Sequence, residues 1–242
     1  MSRAPNLDVR GSEPEPAPAI RLRALARKMG GEPVLRSIDL DVSPGRVVVL
    51  KGSNGAGKTT LLKVLATRLR PSSGGGAVFG NDLIKQANDV RASVGFLGVY
   101  GSNYPMLTAH ENLVLASSLS SYTAGAASAG APDNETIEAA LTLVGLTDAR
   151  HKLVRSFSSG MKKRLGLARL VLTDPRLWLL DEPYAALDDE AKSLVDRLVM
   201  DARGRGRTVL MASHESDRHD LAPDAVLRLL GGHLSDAGAQ AR

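Results

Sequence analysis

Eight residues, Gly52-Ser53-Asn54-Gly55-Ala56-Gly57-Lys58-Thr59, limit what this chain can fold into more than any other stretch. They fit the spacing G-x-x-x-x-G-K-[S/T]. Val47-Val48-Val49-Leu50 ahead of them is an apolar run of strand type, and Thr60-Leu61-Leu62-Lys63-Val64-Leu65-Ala66 behind them reads as a helix. Strand, glycine loop and helix in that order give the spacing a physical meaning. Small residues let backbone N–H groups turn inward around phosphate oxygens. The helix start adds the positive end of its dipole. The loop therefore predicts Gly52, Ser53, Asn54, Gly55, Ala56, Gly57, Lys58, Thr59 and Thr60 as nucleotide contacts. Lys58 would reach the β- and γ-phosphates, and the Thr59 hydroxyl would ligate Mg²⁺.

The rest of the chain alternates strand and helix patterns. Ile20, Leu22 and Ala24 face one way and Arg21 and Arg23 the other, as in a half-buried strand, and residues 37–42 alternate again. Leu177-Trp178-Leu179-Leu180 is apolar throughout, as central parallel strands are, and residues 77–79, 93–97 and 208–212 are strand-like. The glycine-rich residues 70–76 read as a break. Helices are predicted from 109 to about 119, with Thr108 and Glu111 as a capping box, and over 134–144, stopped by Gly145. Two more are predicted over 158–172 and 189–203, the latter ended by Gly204. Residues 225–230 and Gly231-Gly232 suggest a terminal hairpin. This order predicts an α/β fold with a mainly parallel sheet and a phosphate site at the carboxyl ends of its strands. An antiparallel β part would stand at the N-terminal side, with a helical insert over about 98–172.

The 242 residues allow one such domain with an insert. Residues 1–19, rich in Pro, Glu and Ala, are expected as a disordered tail and 235–242 as a flexible one, with the core over 20–97 and 173–234. The absence of cysteine excludes disulfides, thiolate metal sites and a cysteine nucleophile. Residues 1–18 hold no apolar signal core, and no apolar run approaches the roughly 20 residues of a membrane span. Any membrane role is therefore expected to be peripheral. The net charge is +5, but the basic residues are scattered and aromatics amount to 3 %, so no nucleic acid partner is expected.

A second element narrows the chemistry. The apolar strand at 177–180 runs into Asp181-Glu182-Pro183. A strand end beside a P-loop is where Mg²⁺ is held, so Asp181 is expected to orient the metal. Glu182, facing the other way, can polarise a water for attack on the γ-phosphate.

Over residues 20–234 the chain resembles the ABC-type ATPases. Phe157-Ser158-Ser159-Gly160-Met161 is similar to that family's Leu-Ser-Gly-Gly-Gln signature at a helix start. The resemblance implies ATP and Mg²⁺ as cofactors and a nucleotide-dependent homodimer. In it, Ser158, Ser159 and Gly160 would face the γ-phosphate bound by the other copy. Ala185-Ala186-Leu187-Asp188 resembles the loop that passes between subunits, and His214 matches the switch histidine. Met29 stands where the family usually stacks an aromatic on adenine. The chain departs from the pattern at Val99, where glutamine is usual, and at Ser159 and Met161. Hydrolysis that is slow or partner-dependent is the expectation.

The P-loop, residues 107–113 and residues 168–183 look most like the ATP-binding subunit of the haem exporter of cytochrome c biogenesis. That implies separate integral membrane permease subunits and a place on the cytoplasmic face of a bacterial membrane. The five histidines sit in no ligand spacing, so no direct haem binding is expected. The alternatives are an ATPase of another two-component exporter for drugs, lipids or polysaccharide, a soluble ATPase clamping nucleic acid or ribosome, and an ATP-sensing clamp with little turnover.

Overall fold

The computed structural model describes residues 17–99, 101, 103–123, 133–214, 221–235 and 240–241. Its centre is a six-stranded sheet in the order β10-β9-β3-β8-β7-β6. These strands are β3 (Val47–Lys51), β6 (Val94–Leu97), β7 (Leu177–Asp181), β8 (Thr208–Ala212), β9 (Ala225–Leu230) and β10 (His233–Ser235). All neighbours in it run parallel except the β9–β10 hairpin, which turns through Gly231 and Gly232, both at positive φ.

Burial on both faces explains the unbroken apolar runs. In β7, Trp178 and Leu180 enter one hydrophobic core while Leu177 and Leu179 enter the other. In β3, Val47 and Val49 join the first core, Val48 and Leu50 the second. A strand's period of two puts one half of such a run on each side, and both sides need apolar cover. The second core is closed by α1 (Lys58–Leu65) and a sheet that is antiparallel except at its β11–β2 edge. That sheet has the order β11-β2-β1-β4-β5, from β1 (Ile20–Met29), β2 (Glu32–Val42), β4 (Ser73–Val78), β5 (Asn81–Asp82) and β11 (Gln240–Ala241).

The first core is covered by α3 (Ala109–Thr123), α4 (Asn134–Leu143), α5 (Ser159–Thr173) and α6 (Asp189–Gly204). Helices α3 and α4 both pack on α5. The Thr108–Glu111 capping box forms: Thr108 N–H donates to Glu111 Oε2 at 2.8 Å and Glu111 N–H to Thr108 Oγ1 at 3.1 Å.

Several expectations are corrected. Ala19, placed in the disordered tail, is fully buried and its carbonyl accepts from Phe79 N–H at 3.0 Å; residues 1–16 lie outside the described ones. Residues 73–76 of the glycine-rich break join 77–78 in the strand β4, with Gly76 opposite Leu22 of β1. Turn-like composition yields there to a waiting ladder partner. A short helix α2 (Ala87–Ser93), unforeseen because it buries only Val90 and Ser93, precedes β6. Helix α3 runs to Thr123, past the expected end near 119; residues 124–132 lie outside the described ones. Helix α6 continues through Gly204, and the left-handed stop is Gly206, at φ 76. In the tail expected over 235–242, Ser235 closes β10 and Gln240–Ala241 pairs parallel with Asp41 and Val42.

Candidate nucleotide-binding site

Strands β3, β8 and β7 lie side by side and parallel, so their carboxyl ends deliver the P-loop, His214 and the Asp181-Glu182 pair to one edge. The strand between the other two carries the histidine. A cavity of about 330 Å³ is lined there by Val34, residues 53–60, Glu182 and His214.

The P-loop's path depends on Gly57. Its φ is 106, and a Cβ there would lie 2.9 Å from both the Leu35 side chain and the Val34 carbonyl. Only glycine combines that dihedral with that approach. Helix α1 starts at the next residue with no side-chain cap and no acid in its first turn. Its first N–H groups are thus left for an anion.

Lys58 lies back across the loop. Its Nζ donates to the Gly52 carbonyl at 2.8 Å and to that of Ser53 at 3.3 Å, and stands 2.9 Å from His214 Nε2. An ammonium can only donate, so Nε2 is the accepting nitrogen. Burial lowers the Lys58 pKa, opposed by the charges of Glu182 and Asp181.

The two carboxylates have different surroundings. Asp181 is buried and accepts from Thr59 Oγ1 at 2.9 Å. Its pKa is raised by desolvation, against the Thr59 hydrogen bond and the charges of Lys63, Lys163 and Lys58. Glu182 takes a left-handed backbone at φ 49, its N–H held by the Ala212 carbonyl at 2.9 Å. Its Oε2 accepts from His214 N–H at 3.3 Å. Its Oε1 is buried 3.2 Å from His214 Nε2 and has no hydrogen bond among the described residues. The tautomer set by Lys58 accounts for this: an Nε2 that accepts from the lysine has no proton for Oε1.

These residues fit a magnesium nucleotide. The cradle offers a cation and unfilled N–H groups, and the Thr59 hydroxyl beside the Asp181 carboxylate is a hard-oxygen pair of the kind Mg²⁺ takes together with substrate phosphates. Glu182 Oε1, 3.8 Å from Lys58 Nζ and without a hydrogen bond among the described residues, suits a water proton.

The other sequence candidates lie apart. Ser158 caps α5, accepting from Met161 N–H at 3.2 Å. Ser159 and Gly160 open that helix, and within one chain none of the three lines the cavity. Met29, 47 % exposed at the end of β1, does not line it either, whereas Val34 does. Val99 lines a neighbouring cavity with Thr59, Lys63 and Asp181. The sequence reading missed Lys163, which is buried and donates its ammonium to the Glu182 carbonyl. Its place four and seven residues before Leu167 and Leu170, on the apolar face of α5, was the available signal.

The family model described as ABC transporter matches residues 35–185. The daunorubicin/doxorubicin resistance ATP-binding protein DrrA of Streptomyces peucetius is 35 % identical over 224 residues, covering 93 % of this chain and 66 % of its own length. The cytochrome c biogenesis ATP-binding export protein CcmA of Cupriavidus pinatubonensis is 35 % identical over 218 residues, 89 % of this chain and 91 % of its own. Two solved structures share the fold. One is an ATP-binding subunit of an ABC transporter, with TM-score 0.78, 23 % identity and 89 % and 88 % of the two chains covered. The other is a dimeric post-hydrolysis ATP-binding cassette bound to ADP and Pi, with TM-score 0.76, 22 % identity and 89 % and 96 % covered. No helix among the described residues is long and apolar enough to cross a membrane. With the family model spanning more than half of its length and relatives matching along nearly all of it, this chain belongs to the ABC transporter family and carries that family's ATP-binding domain.

Proposed function

We propose that the chain hydrolyses ATP in a dimer of two copies and thereby drives an exporter whose transmembrane path is built by separate integral membrane subunits. The observation that carries this reading is the convergence of Lys58, Glu182 and His214 on one cavity at the strand ends, with Asp181 hydrogen-bonded to Thr59 of its lining. In this reading Lys58 and the first turn of α1 bind the phosphates. Thr59 and Asp181 would hold Mg²⁺, which supplies charge neutralisation on the phosphate oxygens. Glu182 Oε1 accepts a proton from the attacking water as the water oxygen bonds to the γ-phosphorus and the bond to the ADP oxygen breaks. His214 turns from Lys58 to the γ-phosphate once nucleotide competes for the ammonium. Met29 would pack on the base at the rim. Ser158, Ser159 and Gly160 would supply donors to the γ-phosphate of the partner copy, consistent with their distance from the cavity of their own chain. Residues 20–97 and 173–234 would form the nucleotide-binding core, and the helical segment over about 98–172 would face the permease at the cytoplasmic side of the membrane.

Two observations support two cargo readings. Haem export in cytochrome c maturation is the first, supported by a relative matched along nearly its whole length. Drug export is the second, supported by a relative of equal identity of which the chain spans about two thirds. In neither does this chain touch the cargo. The test of hydrolysis is Glu182→Gln, expected to cut turnover in the assembled complex to a small residual rate while accumulating an ATP-bound dimer; parental turnover would refute the assignment. Cargo is tested by purifying the complex from its native membrane, identifying its polytopic subunit, and asking whether haem or an anthracycline stimulates its ATPase.

A further inference from the structure

Lys163 is 1 % exposed, near the start of a helix whose other lysine, Lys162, is half-buried. A buried ammonium costs several kcal/mol unless it is paired and hydrogen-bonded. Burial lowers the Lys163 pKa, opposed by the charges of Glu182 and Asp181, and its ammonium donates to the backbone carbonyl of Glu182.

The carbonyl it holds belongs to a strained residue. Glu182 sits at φ 49, a left-handed conformation that is unfavourable for a non-glycine residue and persists only where its surroundings over-determine it. Three hydrogen bonds do so here. The amide is fixed to the Ala212 carbonyl at the end of β8, and the carbonyl accepts both from Ala185 N–H at 3.3 Å and from Lys163 of α5. Together they set the direction in which the Glu182 carboxylate leaves the backbone.

Helix α5 is itself clamped to the loop that follows β6. Asn103 Nδ2 donates to the Lys162 carbonyl at 2.7 Å, and Arg169 Nη2 donates to the carbonyls of Phe96 and Gly101 at 3.1 and 3.0 Å. A Cβ on Gly101 would lie 2.2 Å from the Lys162 carbonyl, so the loop rests on the helix backbone. Neighbouring residues of one helix thus reach in two directions, Lys162 to the loop containing Val99 and Lys163 to Glu182.

We propose that Lys163 is a positioning residue for hydrolysis, its ammonium holding the Glu182 peptide in the turn that aims the carboxylate into the cavity, so that a shift of α5 is transmitted to that carboxylate. The inference rests on the reading of Glu182 as the base. It gives a polar route from the loop after β6 to the reaction centre in a chain whose residue 99 is valine and makes no such link.

The test compares five forms of the chain in its complex with its membrane subunits: the parent, Lys163→Met, Lys163→Arg, Glu182→Gln, and Lys163→Met combined with Glu182→Gln. Methionine keeps the length and apolar stem of lysine without a donor; arginine keeps the donor. Lys163→Met is expected to lower kcat at least tenfold with the KM for ATP within twofold of the parent. Lys163→Arg is expected to stay within threefold of the parental kcat. In the Glu182→Gln background, Lys163→Met is expected to lower the residual rate no further. The inference is overturned if Lys163→Met keeps kcat within twofold, if KM worsens in step with kcat, if the two substitutions multiply, or if Lys163→Met fails to assemble, which would make the role structural. Parental turnover in Glu182→Gln would instead overturn the base assignment. An inactive Glu182→Gln beside an unaffected Lys163→Met would sink only the positioning role.

Discussion

Thr59 and Asp181 stand 122 residues apart in sequence and share a hydrogen bond of 2.9 Å, which ties the first turn of α1 to the end of β7. The bond satisfies a buried carboxylate whose pKa is raised by desolvation, so Asp181 is held for something other than stability. Asp181→Asn removes the charge and keeps the acceptor for Thr59. It should melt at or above the parental temperature while Mg²⁺-dependent ATP hydrolysis falls at least a hundredfold. Calorimetry with and without Mg-ATP checks both halves. A variant that lost stability and kept its response to Mg²⁺ would remove Asp181 from the metal site.

His214 touches both ends of the same centre, 2.9 Å from Lys58 Nζ and 3.2 Å from Glu182 Oε1. Its ring is 43 % exposed, so truncating it leaves no buried hole. For His214→Ala we expect ATP affinity within threefold of the parent, since the P-loop is untouched, and a kcat lower by about 10²- to 10⁴-fold, the usual range for a positioned proton-transfer group. Nucleotide titration and steady-state ATPase on one preparation separate the two effects. Equal losses in affinity and kcat would mean that the histidine only holds Lys58 in place.

Much of this site was legible from residue order, because each part is a short motif fixed to the end of a strand. Gly52 to Thr59, Asp181-Glu182 and His214 needed only the inference that parallel strands bring their carboxyl ends together. What stayed hidden depended on contacts between distant segments. Nothing local says that Gly74 to Gly76 will find a ladder partner in β1, or that Val34 rather than Met29 will line the cavity. Lys163 was hidden for a sharper reason: a lysine beside two other cations reads as a solvated face, and its burial follows only from where α5 meets the end of β7. The stop of α6 at Gly206 in place of Gly204 is the same lesson at small scale: either glycine could end the helix, and the left-handed turn falls at Gly206, where Arg207 N–H closes on the Ala202 carbonyl at 2.9 Å.

The helices over the first core carry acid-sensitive caps. Glu111 accepts from the N–H and hydroxyl of Thr108 at 2.8 and 2.9 Å, which lowers its pKa below the ordinary 4.5. Asp133 accepts from the Thr136 side chain and from its N–H, the latter at 2.6 Å, which lowers its pKa below 3.8. A carboxylate whose pKa is depressed on folding contributes stability that is fully present above its unfolded value and is lost as pH falls through the folded one. Amide exchange at the starts of α3 and α4, corrected for intrinsic rates, should therefore be flat from pH 7 to about pH 5 and accelerate below the ordinary carboxylate range, relative to β7. Glu111→Gln should remove that acid dependence at α3 and leave it at α4. Uniform acceleration across both helices and β7 would point to global unfolding instead.

Val99 offers the cleanest test of what the chain lacks. It lines a cavity of about 500 Å³ together with Thr59, Lys63 and Asp181, and its side chain can ligate neither a metal nor a water. At 38 % exposed it is also weakly packed, so a polar residue should change stability by no more than about 0.5 kcal/mol. A glutamine there would bring an amide carbonyl oxygen, a hard ligand suited to Mg²⁺, to the cavity that Asp181 and Thr59 share. For Val99→Gln we expect the Mg²⁺ concentration needed for half-maximal hydrolysis to fall several-fold and the basal rate to rise, with the melting temperature unchanged. Titrating Mg²⁺ at saturating ATP on the parent and the variant reads this directly. An unchanged Mg²⁺ dependence would place residue 99 out of reach of the metal, and the loop after β6 would then influence the centre only through α5.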